Sequence, residues 1–114
     1  MSAPRYDGRR FAALASTGSG DVDGTTIFAY HQRGDVVWAT YEGGAVAMGT
    51  LVATADAEGR LDMRYAHVDA EGTIRTGTCR TVPEVLPDGR LRLHETWQWT
   101  DGGTGTSILE EIPA

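Results

Sequence analysis

Hydrophobic and polar residues alternate strictly over one stretch near the end of the chain, residues 90–100 (RLRLHETWQWT). Period-two alternation of this length is typical of a β-strand with one buried face and one face in solvent. Glu95 interrupts the apolar face, which otherwise consists of Leu91, Leu93, Trp97 and Trp99. A carboxyl group on the buried side of a strand is therefore the most informative feature of the pattern.

Shorter runs of β-branched, aromatic and alternating residues predict further strands, and Gly-, Asp- and Pro-rich segments between them predict turns. Pro83 is expected to end its strand, and Gly49 and Gly77 within strands suggest a bend, a bulge or close packing against a neighbour. No stretch has a long helical period. The predicted strands are residues 10–15, 25–32, 35–42, 45–55, 60–68, 73–82, 90–100 and 106–112.

Short connections pair each strand with its sequence neighbour in the antiparallel sense. A meander of eight strands must bury its apolar faces and protect two edges, and closing on itself does both. The sequence therefore predicts an all-β fold, a single antiparallel up-and-down β-barrel of about eight strands. An open sandwich of the same strands is the alternative. The 114 residues suit one domain, residues 1–114, in which residues 1–9 form a loose lead-in.

Charge and composition narrow the range of partners. Sixteen acidic and ten basic residues give a net charge of −6, without the concentrated positive charge that nucleic-acid binding requires. No apolar run approaches the roughly 20 residues that span a bilayer, and the first residues lack the apolar core of a signal peptide. Cys79 is single, so no intramolecular disulfide forms. We expect a cytoplasmic protein without a nucleic-acid or membrane partner.

Glu95 is the candidate catalytic residue. If the apolar face of its strand points into the barrel, burial raises the pKa of the carboxyl, and a carboxyl with a raised pKa can act as a general acid or base. The alternative is a structural role, in which Arg64, Arg92 or a Tyr hydroxyl pairs with the carboxylate inside the barrel.

Aromatic residues and a histidine are the candidate ligand-binding residues. Tyr65 and His67 share a strand face with Leu61 and Met63, so they would line a pocket beside Glu95. Alternatively, Tyr65 is ordinary core and His67 lies in solvent at the strand end. Four further aromatic side chains have two possible roles. They would form an aromatic wall for an apolar or planar ligand, or they would simply fill the core of a small barrel. These residues are Tyr30, Trp38, Trp97 and Trp99.

The remaining reactive side chains predict little chemistry. His31 and His94 lie on faces opposite the best apolar sets and are expected to be exposed. With His67 they lack the spacing of metal ligands, so neither a metal site nor a cofactor is predicted. Cys79 lies in mid-strand and is expected to be a buried, inert thiol.

Four segments, residues 26–32, 37–44, 61–68 and 90–100, resemble a family of small bacterial proteins that often carry the label N-acetylglutamate synthase. The resemblance covers roughly residues 11–111, and Met63-Arg64-Tyr65 and Glu95-x-Trp97-x-Trp99 are its most specific parts. It implies a lipocalin-type, calycin-like β-barrel. The label implies acetyl transfer from acetyl-coenzyme A to glutamate, but the resemblance brings no established active site. The chain also has no Gly-rich loop opening a helix, which would cradle the cofactor pyrophosphate.

These observations support three hypotheses of function. The first is a barrel that binds a small organic molecule in a cavity lined by Trp38, Tyr65, Glu95 and Trp97, with Tyr30 and His67 as additions. The second is a cofactor-free cyclase or isomerase in which Glu95 moves the proton and an aromatic residue orients the substrate. The third is a structural or interaction barrel with a filled interior, acting through an outer face or as a homodimer.

Overall fold

A computed structural model describes residues 3–18 and 20–114, and it confirms the predicted closed barrel. Each strand pairs with the next one along the chain, antiparallel throughout, and the last strand returns to pair with the first. The open sandwich is therefore wrong. The described residues form eight strands: β1 (Arg10–Ser16), β2 (Ile27–Arg33), β3 (Val36–Gly43), β4 (Val46–Ala55), β5 (Leu61–Asp69), β6 (Ile74–Val85), β7 (Leu91–Trp99) and β8 (Thr104–Glu111).

Alternation along the strands explains why the sheet closes. Most inward side chains are apolar and buried, whereas the residues between them face solvent. A closed sheet therefore buries its apolar face and leaves its polar face in water. The alternating strand is β7, and Leu91, Leu93, Trp97 and Trp99 do point inward, as predicted. The described residues contain no helix that is long and apolar enough to span a membrane.

Pro83 does not end its strand, contrary to the prediction. β6 continues to Val85, and Pro83 pairs in register with Leu93 of β7. The pairing of β6 with β5 has already ended at Thr81, so Pro83 lies where the strand has a neighbour on one side only. A residue without an N–H is tolerated at such an edge.

Tyr6 closes one end of the barrel. Its ring is fully buried and stacks on Tyr30, with ring centroids 5.7 Å apart. Its hydroxyl donates to the Gly59 carbonyl at 2.5 Å, and its backbone N–H donates to the Gln32 side chain at 2.8 Å. The segment expected to be a loose lead-in is therefore a plug over residues 3–9, because an aromatic ring fills the open barrel end. Positions 1 and 2 of that lead-in lie outside the described residues.

Three inward aromatic rings each lie over a glycine on the neighbouring strand. Tyr41 pairs with Gly49, Tyr65 with Gly77, and Trp97 with Gly105. A Cβ added at any of these glycines would collide with the facing ring. Close packing against a neighbour is thus the role of Gly49 and Gly77, one of the alternatives that the sequence left open. These pairs let large rings lie flat along the wall of a narrow barrel.

Candidate functional site

A cavity lies inside the barrel on the side of its mouth, the end that carries the connections β1–β2, β3–β4, β5–β6 and β7–β8. It measures about 50 Å³, counted as the space open to the centre of a water molecule. That is room for a few water molecules or a compact ligand. The wall is mostly aromatic and apolar, and it is formed by Ser16, Gly20, Asp21, Val22, Phe28, Tyr41, Leu51, Met63, Tyr65, His67, Cys79, Glu95, Trp97, Trp99 and Ser107.

Glu95 points into this cavity from the middle of β7. The Thr81 hydroxyl donates to its Oε2 at 3.2 Å, and no other described residue donates a hydrogen bond to the carboxyl. Burial raises the pKa of Glu95 from 4.5 to about 7, although the Thr81 hydrogen bond lowers it. The group therefore exchanges its proton near neutral pH.

Neither arginine proposed as a partner reaches Glu95. Arg64 pairs with Asp62 at 2.7 Å on the outer face, and Arg92 pairs with Glu110 at 2.7 Å. Within residues 3–18 and 20–114 the Glu95 carboxyl has no ion pair. A structural role in which Arg64 or Arg92 holds the carboxylate is therefore wrong, and no Tyr hydroxyl of the described residues bonds to it either.

Polar side chains form one row across the cavity wall beside Glu95. Thr81 on β6, Glu95 on β7, Ser107 on β8 and Ser16 on β1 are successive partners in the strand register. The Trp97 indole N–H donates to the Ser107 hydroxyl at 2.9 Å, which holds the ring in place. The row gives an otherwise apolar cavity one polar side.

His67 on β5 forms hydrogen bonds to the connection between β1 and β2 and to β3. Its Nε2 lies 2.9 Å from Asp21 Oδ2, and its Nδ1 lies 2.9 Å from the Tyr41 hydroxyl. A carboxylate only accepts hydrogen bonds, so Nε2–H donates to Asp21, and in the neutral imidazole Nδ1 accepts from Tyr41. His67 is 3% exposed, so the expectation of a solvent-exposed histidine at the strand end does not hold.

Asp21 belongs to the connection between β1 and β2, which crosses the barrel end and is called the mouth loop below (residues 17–18 and 20–26). Besides His67, its Oδ2 accepts from Arg75 at 2.9 Å, and the Arg75 guanidinium lies over the Trp99 ring at 3.7 Å. One carboxylate oxygen thus anchors the mouth loop to two strands. The anchored loop forms the part of the cavity wall at the barrel end, where Gly20, Asp21 and Val22 line the cavity that Glu95 enters.

Loss of this anchor should expose the cavity. We expect Asp21→Ala to raise the rate at which a small methanethiosulfonate reagent modifies Cys79 by about tenfold or more. The variant loses two charge-assisted hydrogen bonds, each worth about 1.5–3 kcal/mol, and about 1.4 kcal/mol already changes an opening equilibrium tenfold. Cys79 is the only cysteine of the chain and lines the cavity, so its modification reports access.

Asp101→Ala is the matched control, since Asp101 is an exposed acidic residue in the β7–β8 turn at the same end of the barrel. In this variant, Cys79 should be modified at the wild-type rate. Equal rates for all three proteins at equal global stability would mean that the Asp21 anchor does not control entry.

Of the six residues predicted to line the cavity, Tyr65, His67, Glu95 and Trp97 do so, and Trp99, the remaining aromatic candidate, lines it as well. Tyr30 is a correction: it points inward but is packed with Tyr6 and other rings at the closed end, away from the cavity.

Trp38 is the second correction. It lies on the outer face of β3, 36% exposed, where its ring stacks on His31. The inward residues of β3 are Val37, Ala39 and Tyr41. Large apolar residues occur on both faces of the first half of this strand, so its alternation does not show which face is buried.

The predicted positions of three further reactive side chains are confirmed. His31 and His94 are exposed, and Cys79 is buried, which raises the pKa of its thiol. No group of three metal-binding side chains occurs in the part of the chain that the structure describes. Sequence reasoning missed Tyr41 and Ser107, which lie on strands with weak patterns, and Asp21, which lies in a loop.

Comparison with known proteins agrees with this architecture. A family model described as "Avidin-like protein" matches residues 4–112, nearly the whole chain. No curated protein and no solved structure matches the sequence. The family match supports a calycin-type barrel and small-molecule binding. It does not support the acetyltransferase activity that the label N-acetylglutamate synthase implies. The chain belongs to the avidin-like family.

Proposed function

We propose that the protein binds a small organic molecule in the cavity around Glu95. The observation that carries this proposal is a carboxyl group to which no residue in the described part of the chain forms an ion pair, with one oxygen open to an aromatic cavity beneath an anchored loop. An apolar cavity with a few convergent polar groups is the usual form of a small-molecule site. The family match supports binding of a small ligand in such a barrel.

The cavity limits the size of the ligand. About 50 Å³ takes a compact molecule while the mouth loop stays in place. A longer ligand needs the loop to move, and the Asp21 contacts would then break as it enters. Biotin, which the family name suggests as a first compound to test, belongs to this second class. Its binding would require an open mouth loop.

The three tryptophans make a direct test. In an NMR spectrum of the indole N–H groups, a fragment library that includes biotin should contain compounds that shift the Trp97 and Trp99 signals. Both rings line the cavity, whereas Trp38 lies outside the barrel and serves as an internal control. Trp38→Phe assigns its signal. A library that shifts none of the three signals, or only that of Trp38, would contradict binding in the cavity.

A second candidate function is cofactor-free proton transfer, as in an isomerase or cyclase. The pKa of Glu95 near 7 favours it, because a general acid or base works best when its pKa lies near the operating pH. A bound ketone or alkene in D2O should then take up deuterium at carbon in the presence of wild-type protein and not with Glu95→Gln. Binding without deuterium uptake would leave the protein as a binder only.

We also propose a cytoplasmic setting. Cys79 is a free, buried thiol, which suits a reducing compartment as well as an inert core position.

A further inference from the structure

We propose that the ligand is a compact organic cation, an ammonium group on a small apolar body, with the Glu95 carboxylate as its counter-ion. This inference rests on the proposed small-molecule binding and names the chemistry that the site selects. It starts from an imbalance: Glu95 lies inside the barrel without a basic partner among the described residues. A buried carboxylate is normally paired, since an isolated buried charge is costly.

The groups facing Glu95 do not supply positive charge. The titratable side chains that interact electrostatically with Glu95 or share its cavity are four phenols, a thiol, one carboxylate and one imidazole. Both nitrogens of that imidazole already form hydrogen bonds. Arg75 at the mouth is neutralised by its contact with Asp21. These facing groups are Tyr6, Tyr30, Tyr41, Tyr65, Cys79, His67 and Asp21.

The cavity wall is suited to hold a cation. Phe28, Tyr41, Tyr65, Trp97 and Trp99 surround the space in front of Glu95. Aromatic faces attract ammonium groups, and rings that combine with a carboxylate recognise amines in many proteins. The Trp97–Trp99 pair, with ring centroids 5.6 Å apart, forms a continuous part of this surface. A net charge of −6 also favours the approach of cations from solution.

The test compares amines with uncharged molecules of the same shape. The probes are isobutylamine and cyclopentylamine, each with its alcohol, titrated at pH 8 and followed by the Trp97 and Trp99 indole signals. Each amine should bind at least tenfold more tightly than its alcohol. Binding of the amine should weaken about tenfold from pH 8 to pH 6, because Glu95 gains a proton across this range while aliphatic amines stay charged.

Glu95→Gln separates the counter-ion from cavity shape. It should weaken amine binding at pH 8 at least tenfold, remove the pH dependence and change alcohol binding less than twofold. Glu42→Gln is the control, because Glu42 is an exposed glutamate on the outer face of β3. It should behave as wild type.

Two results would overturn the inference, and they differ in what they leave standing. Equal binding of amines and alcohols, or a pH dependence that survives Glu95→Gln, would contradict the cation and leave small-molecule binding intact. If no probe shifts the Trp97 and Trp99 signals at pH 8 and the fragment library also fails, the proposed function itself is contradicted.

Discussion

The unfolding free energy of the wild-type protein should fall between about pH 5 and pH 8 as Glu95 loses its proton. The variant Glu95→Gln should not show this fall. The folded protein holds the Glu95 proton more tightly than the unfolded chain, in which the pKa is near 4.5 rather than about 7. The stabilisation from this proton is complete below about pH 4.5 and is lost as the pH rises through 7. The shift corresponds to about 3 kcal/mol of unfolding free energy.

Urea unfolding at pH 5, 6, 7 and 8 measures this effect as the difference between wild type and Glu95→Gln. Taking the difference cancels the contribution of every other group that titrates in this range. The variant should lie within about 1 kcal/mol of wild type at pH 5 and exceed it by about 3 kcal/mol at pH 8 and above. Glu42→Gln should follow wild type throughout. A wild-type-to-variant difference that does not change with pH would mean that Glu95 is solvated or paired in the folded protein.

Tyr6→Ala should lower the unfolding free energy by about 3–5 kcal/mol, the range for deleting a large buried aromatic side chain. The ring is fully buried at the closed end and stacks on Tyr30, so its removal leaves a hole beneath the core. Tyr6→Phe keeps the ring but leaves the Gly59 carbonyl without its donor. It should cost about 1–2 kcal/mol.

The neighbouring Arg5→Ala is the control, since Arg5 is exposed in the same segment. Chemical denaturation should show little change for it. If Tyr6→Ala were no more destabilising than Arg5→Ala, the N-terminal segment would not act as a plug, and the barrel end would be closed by β-strand residues alone.

The fold was predictable because it depends on signals that repeat along the chain. Period-two alternation and short turns identify the strands, and eight strands with two edges lead to closure. β7 was the clearest case, since its polar face holds charged or hydrogen-bonding residues only, so the inward position of Glu95 followed directly. The same reasoning failed at Trp38, where Val36 and Trp38 on one face compete with Val37, Ala39 and Tyr41 on the other.

The candidate site was predictable only in part, because its polar contacts join side chains from different strands and from a loop. Asp21 lies in a loop, and nothing local indicates that its carboxylate meets His67 and Arg75 from other strands. Tyr6 is a single aromatic in a polar segment without a period. The positions of Arg64 and Arg92, by contrast, follow from the alternation, which places both on the outer face, where they pair with Asp62 and Glu110.

A carbon-13 NMR titration of the Glu95 carboxyl is the most direct test of the central claim, that this carboxyl lies inside the barrel without an ion pair among the described residues. Glu95→Gln identifies its signal, and the signal is followed from pH 3 to pH 9. The cavity described above predicts a midpoint of about 7. A midpoint near the ordinary value of 4.5 would show that the carboxyl is hydrated or ion-paired, and it would contradict both the binding site and the counter-ion assigned to it.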